Sequence, residues 1–268
     1  MSCLSFLKKD CVMIGDYKEF SENFIKDKIF IFRSTNEISI GEQESIVRKV
    51  VGQIDSRMSD SYINVIEGMN HKNLETDIRN EGFFSEYFKS RMHVDLPPSG
   101  IFNGFTFLIS MCMKKFNCTE GNGNTYFLNM EKCFEKISIS IEDLIDIRIS
   151  FTHDDFEYIS PVFFIHPYSG KPVLFWPTIN VDYFSGNKQI FNLLKQEVLI
   201  FFSDYENWYE HKWKENDVVV FDNSSMLHAF TPGWGSSQRV FNQVSCLNVV
   251  PEYLVNGVNI WENWNLNE

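Results

Sequence analysis

Asn216-Asp217-Val218-Val219-Val220-Phe221-Asp222-Asn223-Ser224-Ser225-Met226-Leu227-His228 is the stretch on which the reading of the fold turns. A polar turn leads into an apolar run, a second polar turn follows, and the chain re-enters apolar sequence just before a histidine. The run Val218 to Phe221 is short, bounded by turn residues and made of β-branched and aromatic side chains, so it predicts a buried strand. The same alternation extends outward in both directions. Ile101 to Ile109, Thr125 to Leu128, Pro161 to Ile165, Val173 to Trp176 and Arg239 to Leu247 all read as short strands. Gly121-Asn122-Gly123-Asn124 is a turn signal.

Helices are predicted mainly before this β-rich part. Asp16 to Lys26 places Tyr17, Phe20 and Phe24 on one face, with Asp16 and Glu19 suited to cap it. Ile29 to Phe32 is a short strand. Gly41 to Met58 carries an apolar stripe of Ile46, Val47, Val50, Val51 and Ile54. One later helix, Asn187 to Phe202, aligns Ile190, Phe191, Leu194 and Val198. Two helices followed by many short strands predict a mainly β fold with helical cover, its core a double-stranded β-helix of the jelly-roll, cupin-like kind. No internal repeat or linker-like stretch divides residues 1–268, so a single domain is expected.

Composition narrows the function classes. The 268 residues are 44% hydrophobic and 22% charged, which is the balance of a globular chain, and 26 Phe favour strands and a large core. The formal net charge is −12 and no dense Lys/Arg run is present. Nucleic acid and an anionic membrane are therefore not expected as partners, whereas a small-molecule substrate is. Homo-oligomerisation is left open. Six cysteines contain no C-x-x-C pair, which argues against a thiolate zinc site. The opening MSCLSFLKKDCVMIGD lacks the long apolar core of a signal peptide, and no apolar run is long enough to span a membrane. A cytoplasmic protein with free thiols is expected.

The histidines carry the chemistry. Non-haem iron sites bind Fe(II) through two His and one carboxylate on one face, leaving the other face open. A His-x-Asp on a strand offers two of these ligands, because period-two spacing puts both side chains on one side. Two such tripeptides occur, His93-Val94-Asp95 and His153-Asp154-Asp155. His153 lies among Asp154, Asp155 and Glu157 and reads as part of a solvated acidic loop. His93 precedes a rigid Leu96-Pro97-Pro98-Ser99-Gly100 turn and is the better candidate. The distal ligand would be His228. A lone histidine is more often a satisfied core residue, but Arg239 follows on the next predicted strand. A guanidinium on a barrel strand is costly to bury unless an anion pairs with it, and a dicarboxylate would suit.

On these residues the chain resembles the TauD/TfdA-like family, from about residue 16 to about residue 247. Phe20 to Arg33, ending Ile-Phe-Ile-Phe-Arg, is similar to the family's opening helix and strand. His93-Val94-Asp95 matches its first two iron ligands, and Asn216-Asp217 through Asp222-Asn223 to His228 matches the segment bearing the last. Gly123 to Met130 resembles the segment with a threonine that contacts 2-oxoglutarate. His166-Pro167-Tyr168-Ser169-Gly170-Lys171 resembles the family's His-Pro-x-(Ser/Thr)-Gly turn, and Arg239 falls where its cosubstrate arginine lies.

The resemblance implies an Fe(II)/2-oxoglutarate-dependent dioxygenase, with O2 as oxidant and succinate as co-product. His93, Asp95 and His228 would hold iron and form the catalytic centre. Arg239 and Thr125 would bind 2-oxoglutarate, and His166 would position a loop. Thr125 is equally readable as an ordinary strand threonine. Gly121 to Asn124 and Gly233-Trp234-Gly235 are candidates for mobile loops at the mouth. Two positions depart from the pattern: Asn216 stands where the family carries a glycine, a change that a turn tolerates, and the family carries a second arginine where this chain has Gln243. A neutral residue there argues against taurine and against a strongly anionic substrate. The resemblance points to hydroxylation or desaturation of a small molecule, an amino-acid derivative of specialised metabolism, with isonitrile derivatives among the options. Two other classes stay open: a cupin-type metal-dependent hydrolase using the same ligands without 2-oxoglutarate, and a non-catalytic jelly-roll binding protein.

Overall fold

Side chains that alternate between two buried faces organise the core. The structure is a computed structural model and describes residues 26–33, 39–45, 62–71, 84–95, 106–115, 123–153, 156–166, 169–214, 217–231, 239–249, 254–255 and 258–259. Its strands are β1 (Ile29–Arg33), β2 (Tyr62–His71), β3 (Thr106–Lys115), β4 (Thr125–Asn129), β5 (Arg148–His153), β6 (Phe156–Pro161), β7 (Phe163–Ile165), β8 (Pro172–Leu174), β9 (Asp182–Ser185), β10 (Trp208–His211), β11 (Asp217–Asp222), β12 (Met226–Phe230), β13 (Arg239–Val249), β14 (Leu254–Val255) and β15 (Val258–Asn259). A five-stranded antiparallel sheet runs β1-β11-β3-β13-β2 and a three-stranded one runs β10-β4-β12. Smaller sheets run β6-β5-β9, β7-β8 and β14-β15. This is the mainly β, jelly-roll arrangement expected from the sequence.

The two main sheets face each other through a cluster of Ile29, Phe127, Trp213, Val219, Phe221 and Met226. Phe127 of β4 and Phe221 of β11 meet with ring centroids 5.1 Å apart. Odd-numbered Phe127 therefore points into the barrel, while its neighbours Tyr126 and Leu128 join the larger cluster on the outer side of the sheet. Every residue of β4 is buried for this reason, which explains why its sequence reads as a continuous run rather than an alternating one. The outer cluster is capped by the helix Lys188–Ser203, whose Phe191, Leu194, Val198, Phe201 and Phe202 are buried. Asn187 caps that helix by accepting from the Gln189 and Ile190 amides.

Predicted and observed elements agree closely around this core. Of the strand predicted at Ile101 to Ile109, residues 101–105 lie outside the described residues, and the described strand runs from Thr106 past the predicted end to Lys115. The run Pro161 to Ile165 is split between the end of β6 and β7. His153, read as loop, closes β5 instead and pairs with Phe156 across a hairpin. Asp154 and Asp155, read as part of the same loop, lie outside the described residues. β2 was not predicted. Its apolar spacing is broken near Glu67 and Gly68, where the register against β13 slips between Phe241 and Gln243. Of the predicted N-terminal helices, Lys26 and residues 41–45 are helical and the rest lies outside the described residues. No helix among the described residues is long and apolar enough to cross a membrane.

A buried polar network anchors the turn between β11 and β12. Lys28, fully buried and in the left-handed region at φ 63°, sets its Nζ 3.1 Å from Glu131 Oε2. Its carbonyl accepts the Asp222 amide at 2.8 Å. His166 Nε2 lies 2.6 Å from Asp222 Oδ2. Ser225 Oγ donates to the same oxygen at 2.7 Å, and Ser224 donates its amide and hydroxyl to Asp222 Oδ1. Burial alone would raise the Asp222 carboxyl pKa, but the charge and hydrogen bond of His166, with Lys28 and Ser224, hold it below 3.8.

Asp222→Ala strands His166 and the Ser224 and Ser225 hydroxyls without their acceptor and is expected to cost about 3–5 kcal/mol, read as a lower urea midpoint at unchanged slope. The depressed carboxyl also sets a direction with pH. Its contribution is complete above the unfolded value near 3.8 and is lost as pH falls through the lower folded value. Urea unfolding of the wild type repeated on descending pH should therefore show stability falling away below that point, and less so in Asp222→Asn.

Candidate metal centre

His93 and His228 are brought together by their own backbones. They form an isolated antiparallel bridge, in which each amide donates to the other's carbonyl at 2.9 Å. His93 also bridges Thr178, and the Val94 amide donates to the Pro177 carbonyl at 3.0 Å. Residues 93–95 thus thread between β12 and the segment after β8. Period-two alternation then sends the ligands the right way. On β12, Leu227 and Ala229 join the outer cluster, so His228 faces the barrel interior with Met226.

The third group is held from two sides. The Asp95 amide donates to Asn223 Oδ1 at 2.8 Å, and Asn223 Nδ2 donates to the Asp95 carbonyl at 2.6 Å. Gln243 Nε2 donates to Asp95 Oδ2 at 3.1 Å. The other carboxylate oxygen, Oδ1, lies 3.5 Å from His93 Nε2 and 3.6 Å from His228 Nε2. One ligand atom from each of the three residues lies within 4.8 Å of the others. These separations are long for hydrogen bonds between the groups and suit donors arranged around one ion, where neighbours at about 2.1 Å from it sit roughly 3 Å apart.

Protonation fits a metal as well as geometry does. His93 Nδ1 is 2.7 Å from the Arg91 carbonyl, which can only accept. Nδ1 therefore carries the proton and Nε2 presents its lone pair towards Asp95. His228 packs between Phe127, at 5.9 Å, and Phe221, at 5.1 Å. Burial, assisted by the nearby His93, pushes its pKa down to about 4, so it stays neutral. Burial alone would raise the Asp95 carboxyl pKa, but His228, His93 and Gln243 bring it down to about 2. For His93, burial lowers the pKa, and the adjacent Asp95 carboxylate, with the Arg91 carbonyl, outweighs it, leaving a net rise. One carboxylate and two imidazole nitrogens are the donor set that non-haem Fe(II) takes.

The other sequence-predicted residues fall as follows. Thr125 pairs with Phe230 across β4 and β12 and shares the interior face of β4 with Phe127. Its Oγ1 accepts from Trp213 Nε1 at 2.9 Å. Arg239 opens β13 opposite His71, and its side chain lies outside the described residues, as does the loop containing Gly233 to Gly235. β13 keeps an unbroken register against β3 from Val240 to Val249. Gln243, expected to face substrate, contacts a candidate ligand. His166 is buried on Asp222, away from the triad, and Ser169 of its turn donates an amide to Nδ1 at 3.1 Å. Sequence reasoning missed Asn223 as a partner of Asp95. Its position inside a polar turn directly before a strand that carries a histidine was the available signal.

The model of the family described as taurine catabolism dioxygenase TauD, TfdA family matches residues 16–244. An alkylsulfatase of Acinetobacter baylyi is 28% identical over 114 residues, 41% of this chain and 35% of the alkylsulfatase, so the chain spans only about a third of that relative's length. The structure of AAD-2 in complex with Mn(II) and N-oxalylglycine is 16% identical, covers 93% of this chain and 92% of its own, and superposes with a TM-score of 0.62. A taurine dioxygenase from Burkholderia xenovorans gives 12% identity, 91% and 84% coverage and a TM-score of 0.65. At such identities the structural likeness speaks for the fold.

Asn223→Ala removes both hydrogen bonds to the Asp95 backbone. The expected cost is about 1–3 kcal/mol, with hydrogen exchange at the Asp95 amide accelerated while the β11 amides keep their protection. Equal protection at Asp95 in variant and wild type would show that Asn223 does not hold this segment.

Proposed function

The chain belongs to the taurine catabolism dioxygenase TauD, TfdA family, and from that membership we propose that it is an Fe(II)- and 2-oxoglutarate-dependent oxygenase of a small molecule. The observation that carries this reading is the convergence of His93, Asp95 and His228 ligand atoms within 4.8 Å. The AAD-2 neighbour adds support, since it was solved with Mn(II) and N-oxalylglycine, which carries an oxalyl group and a second carboxylate as 2-oxoglutarate does.

His93 and His228 would hold the iron through Nε2 and Asp95 through Oδ1. Bound Fe(II) and 2-oxoglutarate together supply oxidation of a substrate C–H bond by O2, coupled to conversion of 2-oxoglutarate to succinate and carbon dioxide. The residues of the chain position and insulate that chemistry. Arg239 would pair with the far carboxylate of 2-oxoglutarate, and Thr125, on the interior face of β4, would assist it. Phe127 and Phe221 pack against His228 and keep that ligand dry and neutral. The substrate is proposed to be neutral or zwitterionic, an amino-acid derivative such as an isonitrile, oxidised by hydroxylation or desaturation. Gln243 supports this, because the side chain at that position is uncharged and is engaged with Asp95.

Anaerobic titration of the protein with Fe(II) and then 2-oxoglutarate should develop the visible charge-transfer band of a chelated keto acid. His228→Ala should abolish the band and Arg239→Ala should weaken it through lower 2-oxoglutarate affinity. Iron binding without any band in the wild type would overturn the cosubstrate assignment and move a hydrolase on the same ligands to the front.

A further inference from the structure

Asp95 is constrained at every polar atom except the one facing the histidines. Asn223 takes its amide and its carbonyl, at 2.8 and 2.6 Å. Gln243 takes Oδ2, at 3.1 Å, from a strand on the opposite sheet. Oδ1 alone is turned to His93 Nε2 and His228 Nε2. With the backbone clamped, the remaining freedom of this side chain is rotation of the carboxylate. That rotation decides whether one oxygen or both meet an ion.

We propose that Gln243 is a positioning residue of the metal centre: by donating Nε2–H to Asp95 Oδ2 it holds the carboxylate so that Oδ1 alone ligates. This inference rests on the reading of His93, Asp95 and His228 as a metal centre, and goes beyond it by assigning a residue outside the triad.

Three features of the structure support the role. The donor is neutral, so it orients the carboxylate without neutralising it, and Asp95 keeps its full charge for the ion. The amide is anchored within a strand paired on both sides, with Gln243 opposite Cys112 of β3 and Ile66 of β2. The slip in register against β2 has its extra residue on β2, between Ile66 and Met69, and leaves β13 unbroken against β3 through Gln243, so the strand that carries the amide is regular there. An oriented carboxylate that offers one oxygen occupies one coordination position. A carboxylate free to rotate can occupy two, and would then take a place that cosubstrate or oxygen needs.

The test uses Co(II), bound under anaerobic conditions to the full chain, with wild type, Gln243→Met, Gln243→Ala and His228→Ala compared. Methionine keeps the length and bulk of the side chain and removes the donor, and alanine removes both. Thermal unfolding without metal establishes that each variant is folded. The wild type is expected to bind one Co(II). Both Gln243 variants should bind it about 10–100-fold more weakly, as loss of an outer partner of a ligand does, and with a changed visible ligand-field spectrum that reports the altered coordination of Asp95. A merely structural role for Gln243 would lower melting temperature without moving that spectrum. If a folded Gln243 variant binds Co(II) within twofold of wild type and with the same spectrum, the assignment of Gln243 is overturned while the metal centre stands. If wild type binds no Co(II), or His228→Ala binds it equally well, the metal centre itself falls and this inference with it.

Discussion

The reciprocal pair of backbone hydrogen bonds between His93 and His228 is the constraint on which the rest of the site depends. Each is 2.9 Å long, and together they lock two residues 135 positions apart into direct opposition. Opposed residues in an antiparallel pair project to the same face, so once the bridge forms, both imidazoles must share one side. A slip of one residue would send either histidine into the outer apolar cluster with Leu227 and Ala229. Ligand convergence is thus a property of strand register first and of side-chain packing second.

Register in turn is secured by the turn that precedes β12. Asp222 gathers the Ser224 and Ser225 groups and His166, and ties them to Lys28 and Glu131 in the interior. Charges buried this deeply are poor sources of net stability, because their desolvation offsets most of the attraction. Their value here is geometric. They make the turn stiff, and the next residue, Asn223, passes that stiffness directly to the Asp95 backbone. A chain of rigid links therefore runs from a buried lysine in the first strand's approach to the only carboxylate of the triad.

Much of this was legible in sequence, for reasons that can be stated. The β11-turn-β12 unit showed itself because a buried strand between polar turns leaves a short, unmistakable apolar run. The helix Lys188–Ser203 was legible by its period and its Asn187 cap. His93, Asp95 and His228 were singled out by residue type and spacing. What stayed hidden were pairings between distant residues. Nothing in Lys28 or Glu131 announces a buried ion pair, since isolated lysines and glutamates are ordinarily solvated. β2 escaped because Asn64, Glu67, Gly68 and Asn70 interrupt its alternation, which an edge strand with a slipped register tolerates. Gln243 was noticed for the charge it lacks, and its hydrogen bond to Asp95 could be seen only in three dimensions.

That missing charge has a consequence for the proposed chemistry. An electrostatic account of such a site must include the ion and the cosubstrate as well as the side chains. The ferrous dication, one aspartate and a dianionic 2-oxoglutarate sum to a single negative charge, which Arg239 would cancel. The assembled centre would then be neutral, within a chain whose formal net charge is −12. A cationic residue at position 243 would have supplied a surplus positive charge to hold an anionic substrate and would have competed for Asp95. Glutamine supplies neither effect: its amide dipole orients the ligand and leaves the balance untouched. An anionic substrate would enter such a site without a counter-charge from this position, whereas a neutral or zwitterionic one would not need it. The same substitution that secures the aspartate thus argues for the charge class of the molecule that the barrel admits.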